Sequence, residues 1–117
     1  MSRPATVFAA ACILEALARV ACAAPVEDEQ LLKRGETLLQ RDCGSCHATA
    51  KTGDSPRKDA PAFRTLSQRY PIEQLEESLG EGIMSGHPDM PEFSFDADDV
   101  GAIIAYLNSI QQSPAKK

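Results

Sequence analysis

The run Cys43-Gly44-Ser45-Cys46-His47 sets two thiols three positions apart, with an imidazole directly after the second. On a helical turn, residues i, i+3 and i+4 fall on one side. Two thiols so placed can each bond one of the two vinyl groups along one edge of a haem, and the adjacent imidazole can then reach the iron. A Cys-x-x-Cys-His run reads on these grounds as a c-type haem attachment signal. Two rival chemistries use the same residue types. A thiol redox pair of the thioredoxin kind sits in a βαβ pattern, and none is visible here. A zinc site would have to combine Cys43, Cys46, His47 and His87. Adjacent Cys46 and His47 serve one tetrahedral ion poorly, and no second closely spaced pair exists.

An iron held from one side by His47 has a sixth position to fill, and Met84, His87 and Met90 are the candidates. Met90 is followed by Pro91, which fixes the backbone beside it and removes a donor. A thioether ligand there would saturate the iron and raise its potential relative to two imidazoles. Met84 lies on or near an apolar helix stripe, where a methionine ordinarily fills a core gap. His87 stays a competitor, since imidazole binds iron strongly and Pro88 constrains its loop.

The elements around this site belong to one small domain. The chain has 117 residues, 43% hydrophobic but only 5% aromatic, with no Trp. A core built from so few large side chains is thin, and chains near this size often need a non-polypeptide element to complete it. Residues 1–24 read as an export signal: Arg3, an apolar run from Ala5 to Leu14, then small residues leading to Ala21-Cys22-Ala23-Ala24-Pro25. The run is too short for a stable membrane-spanning helix. Cleavage after residue 24 would remove Cys12 and Cys22 and leave Cys43 and Cys46, which is no disulfide framework for an exported domain.

The full chain carries 12 Lys+Arg against 17 Asp+Glu, a net charge of −5, and without residues 1–24 the balance is about −6. This acidity argues against nucleic acid and anionic membrane surfaces as partners. The charge is uneven. Lys51, Arg57, Lys58, Arg64 and Arg69 outnumber Asp54 and Asp59 over 51–69, whereas 71–99 has acids and no Lys or Arg. The stretch reads as a solvated acidic face, or as a polarity that orients the protein on a redox partner.

Three main helices and long loops are expected, with no strand. Leu31, Leu32, Gly35, Leu38 and Leu39 make one apolar stripe over 27–41. Residues 48–61 read as a loop, and a short helical piece fits 62–69. Pro71 suits the first position of a helix through Met84, with Ile72, Leu75, Leu79 and Ile83 on one face. Residues 85–95 are broken by Gly and Pro. A last helix over 97–110 has Asp96 as N-cap, Phe95 and Val100 as a hydrophobic staple, and Val100, Ile103, Ile104 and Leu107 as its buried stripe beside Tyr106. Residues 25–112 thus form the domain and 113–117 a frayed tail.

With these residues in place the chain resembles the class I c-type cytochromes over about 31–110. The resemblance implies an all-α, cytochrome c-like fold: three main helices and long loops wrapped around one covalently attached haem c. It implies that Gly35 packs against Tyr106 where the first and last helices meet. Asp59-Ala60-Pro61-Ala62-Phe63 resembles the family's proline loop, which implies that the Pro61 carbonyl accepts the His47 ring N–H. The methionine loop is similar to 86–91, which implies His47 and Met90 as the iron ligands. Arg64, Arg69 and Tyr70 are candidates for the haem propionates. The function implied is that of a monomeric single-electron carrier in the bacterial periplasm, not an enzyme, with redox proteins as partners. The alternatives are a haem-based ligand-binding or sensor protein, or the electron-transfer subunit of a larger oxidoreductase.

Overall fold

The computed structural model describes residues 24–83 and 89–113. Met84 and His87, and Cys12 and Cys22 of the expected signal, lie outside the described residues, as does the tail beyond Ser113. The described part is helical. Helix α1 runs Ala24–Asp42, α2 Leu75–Glu81 and α3 Ala97–Ile110, with 3-10 turns at Phe63–Gln68 and Ile72–Gln74. No strand occurs among the described residues, only an isolated antiparallel bridge between Ile83 and Phe93. No described helix is long and apolar enough to cross a membrane.

Helix α1 begins three residues before its apolar stripe would place it. Pro25 causes no break there, because a first-turn residue has no intrahelical N–H bond to lose. The buried face of α1 is narrower than its sequence suggests. Gly35, Leu38 and Leu39 are buried and Leu32 is half-buried, but Leu31 stays exposed. The partner face is α3, whose Val100, Ile103, Ile104, Tyr106, Leu107 and Ile110 are all buried. The two helices close on each other at Gly35: a Cβ built there would lie 2.8 Å from the Tyr106 Cβ and would also strike the Ala102 carbonyl. Only glycine admits that approach. On the solvent side of the same contact Arg34 Nε donates to Asp99 Oδ1 at 2.6 Å.

The expected helix over 71–84 is two pieces. Pro71 leads into the 3-10 turn, α2 starts at Leu75, and Gly82 ends it at φ +120°. A β-carbon would be strained there, so the glycine sets the stop. Ile72 and Leu79 are buried and Leu75 and Ile83 are half-buried, so the apolar face survives the division. At the start of α3 the cap forms as expected, Asp96 Oδ1 accepting from the Asp99 N–H at 2.8 Å. Phe95 and Val100 both join the core.

The end of α2 and the segment before α3 are tied together by backbone bonds. The Ile83 N–H donates to the Phe93 carbonyl at 2.9 Å and the Phe95 N–H to the Leu79 carbonyl at 2.9 Å. Ser94 Oγ adds a bond to the Gly80 carbonyl at 2.9 Å. Met90 sits on that segment before α3, facing the region between α1, α3 and the 48–61 segment.

Candidate functional site

The attachment run continues α1 by one further turn. The Cys43 N–H reaches the Leu39 carbonyl at 2.8 Å, and the His47 N–H reaches the Cys43 carbonyl at 2.9 Å. The helical spacing read from the sequence is therefore realised: both thiols and the imidazole emerge from one turn. Neither thiol is in a disulfide, and both are half-buried.

The segment after the turn folds back onto it. The Ala48 N–H is taken by Ser55 Oγ at 3.0 Å. The Arg57 N–H donates to the Cys46 carbonyl at 3.1 Å, and the Phe63 N–H to the Ala48 carbonyl at 3.0 Å. These bonds carry Pro61 to the imidazole. His47 Nδ1 lies 2.8 Å from the Pro61 carbonyl oxygen, as the resemblance implied. A carbonyl can only accept, so Nδ1 holds the proton and Nε2 keeps its lone pair for a ligand role. Phe63 stacks on the imidazole, with centroids 4.7 Å apart and planes at 29°. The ring is held at its nitrogen and on its face.

A partly buried chain of hydrogen bonds supports the turn from behind. The Tyr106 hydroxyl donates to the Thr49 carbonyl at 3.0 Å, and Thr49 Oγ1 donates to Gln40 Oε1 at 2.7 Å. Thr49 is the buried polar residue of the core, so its satisfied bonds matter to the fold. They tie α1, α3 and the residues after His47 into one unit.

Cys43, Cys46, His47, Pro61 and Met90 all line one cavity of about 430 Å³. Its walls are mainly apolar, from Leu39, Phe63, Leu66, Leu75, Leu79, Phe93, Phe95, Ile103 and Leu107. The thin core predicted from the low aromatic content is this space. Burial pushes the Cys43 thiol up to about 11, with Asp42 and Cys46 adding to the rise. A thiol redox pair needs the opposite, a thiol lowered toward neutrality. The donor set fits a haem instead: two thiols on one turn, an imidazole with Nε2 available, a thioether on the same cavity and apolar walls between them.

Sequence reasoning missed some of the lining. Of the three propionate candidates Tyr70 borders the cavity, and its phenol is raised by burial. Arg64 and Arg69 do not border it, and Arg64 donates to the Gly53 carbonyl at 2.7 Å. The arginine that does border it is Arg57. Its Nε donates to Asp59 Oδ1 at 2.8 Å and its Nη2 to Asp89 Oδ2 at 2.9 Å. Both carboxylates, Asp59 first, hold its guanidinium firmly charged. No local motif marks Arg57, because its partner Asp89 is 32 positions away. Phe63 had a weaker signal, an aromatic two residues after Pro61.

The family model described as Cytochrome c matches residues 32–111 of the chain. The chain is also similar to "Cytochrome c-552" of Bradyrhizobium diazoefficiens. The two are 31% identical over 77 residues, a stretch covering 66% of this chain and 72% of the relative. No solved structure matches.

Proposed function

The chain belongs to the cytochrome c family, an electron carrier with covalently bound haem c rather than an enzyme, and from that premise we propose a periplasmic shuttle with His47 and Met90 as its axial ligands. In this reading Cys43 and Cys46 carry the thioether bonds to the haem edge, and residues 1–24 direct export of the chain before cleavage. The haem supplies a one-electron couple between ferrous and ferric iron. The protein's part is to keep both ligands in place in either state, so that little rearrangement accompanies each transfer. The Pro61 carbonyl holds the His47 ring in one tautomer and strengthens it as a donor. The mainly apolar walls would surround a haem held there.

The observation that supports the ligand pair best is that Met90 and an imidazole with Nε2 available border the same apolar cavity. Cytochromes of this family act with redox proteins as donor and acceptor. The acidic 71–99 stretch suits a basic docking surface on such a partner, with the protein working as a monomer that binds briefly and leaves.

The test is the optical spectrum of the exported protein in both oxidation states. Low-spin haem is expected, with the weak far-red band of methionine bound to ferric iron. That band should disappear in Met90→Ala and persist in Met84→Ala. A low-spin spectrum lacking the band would transfer the sixth position to His87, and high-spin haem would leave it open. Sequencing of the periplasmic product should begin at Pro25.

A further inference from the structure

Arg57 occupies a singular place among the described residues, joined to three segments of the site at once. Its backbone is fixed at both ends: the N–H donates to the Cys46 carbonyl at 3.1 Å, and its carbonyl accepts from the Ala60 N–H at 3.1 Å. The first bond seats it on the attachment turn, and the second closes the turn that delivers Pro61 to His47. Its side chain then leaves this fixed base in two directions. Toward its own loop it forks onto Asp59, at 2.8 and 3.4 Å. Across the cavity border it reaches Asp89, the residue immediately before Met90, at 2.9 Å.

The two ends of that last bond belong to different segments of the site. Arg57 belongs to a segment bonded repeatedly to the attachment turn. Asp89 belongs to the loop whose described backbone ties lie at its neck, between Ile83 and Phe93 and between Leu79 and Phe95. Met90 lies between that neck and Asp89, three residues before Phe93. The ion pair acts at the residue directly before Met90. A guanidinium between two carboxylates also has the planar, forked geometry that a lysine lacks.

We propose that Arg57 is a positioning residue for Met90, a strap from the histidine side of the site that holds the methionine loop against the cavity through Asp89. The inference rests on the reading of Met90 as the sixth ligand and adds what keeps it there. Arg57 touches no reacting atom and acts through Asp89. The consequence is a ligand whose hold on the iron is graded by a surface ion pair. When the pair is broken the fold stays intact, but Met90 yields more readily to a competing donor.

The experiment uses the full haem-loaded protein and titrates its ferric form with imidazole, following loss of the methionine band. Arg57→Gln and Asp89→Ala should each tighten imidazole binding, by roughly three- to tenfold for loss of one charge-assisted contact. The double variant should tighten it no further than either alone, and Arg57→Lys should recover part of the loss. Arg34→Gln breaks the ion pair between α1 and α3, away from the cavity. It should lower the denaturation midpoint and leave imidazole affinity unchanged. Imidazole affinity in Arg57→Gln and Asp89→Ala within about twofold of the parent would overturn the proposal, as would an equal shift in Arg34→Gln. If Arg57→Gln fails to accumulate, Asp89→Ala alone decides. A parent protein that lacks the methionine band would instead refute the ligand reading on which this rests, and the two failures are told apart by that spectrum.

Discussion

Gly35 on α1 and Tyr106 on α3 meet so closely that a Cβ on the glycine would lie 2.8 Å from the tyrosine's own Cβ. The nearest obstacle is the Ala102 backbone, which cannot swing aside as a side chain would. Gly35→Ala should therefore cost about 1–3 kcal/mol through overpacking, although alanine favours helix by about 1 kcal/mol. Gly101 lies in α3 with nothing within 4 Å of the point where a Cβ would stand, so Gly101→Ala should be neutral or stabilising. Guanidinium denaturation of the two haem-loaded variants gives the comparison, and equal midpoints would mean that the helices stand further apart.

Tyr106→Phe removes the donor to the Thr49 carbonyl and leaves a buried acceptor unpaired, at a cost of about 1–2 kcal/mol. The variant should also change the response to alkali. Burial raises the Tyr106 phenol above its ordinary value, so the folded form favours the protonated phenol. Its contribution is fully present below the unfolded value, about 10, and is lost as pH rises through the higher folded value. Between those two values stability of the parent should thus decline more steeply than stability of Tyr106→Phe. Tyr70, raised in the same direction, remains in both and sets the residual slope.

Gly82 combines φ +120° with a Cβ position 2.5 Å from Glu92 Oε1. The side-chain contact can be relieved and the backbone strain cannot. Gly82→Ala should destabilise by roughly 1–3 kcal/mol, and Gly82→Ala with Glu92→Ala should recover only the smaller part. Full recovery in thermal denaturation would show that the glycine is there for space alone.

Electron transfer to a basic partner should slow as ionic strength rises, because the acids of 71–99 contribute to encounter over a distance that salt shortens to about 8–10 Å. Stopped-flow rates with a cationic acceptor would show it, and rates indifferent to salt would remove the acidic stretch from docking.

The parts of the molecule legible in the sequence were those set by short-range chemistry. Cys43, Cys46 and His47 share one turn because their spacing is helical, and the Asp96 cap follows from residues three apart. The loop over 48–61 and the break before α3 were visible from Gly53, Pro56, Pro61 and Pro91. Features that depend on the handedness of one backbone angle or on distant partners were not. The early stop of α2 turns on φ at Gly82, which composition does not reveal. Leu31 fits the stripe of α1 yet stays in solvent, since α3 covers only the side of the helix around Gly35 and Leu39. Arg57 was one basic residue among five in its segment until the fold brought Asp89 to it.

The pairing of α1 with α3 also orders events in time. Arg34 and Asp99, joined across that contact, are 65 positions apart. Closing a loop of that length costs roughly 4 kcal/mol of chain entropy from its length dependence, and the enclosed stretch holds the attachment turn and the loops bearing Pro61 and Met90. Cys43 to His47 lie on a turn closed by bonds within 39–47, so that turn can form before the long loop closes, and the docking of α3 on α1 is the step that encloses the two thiols.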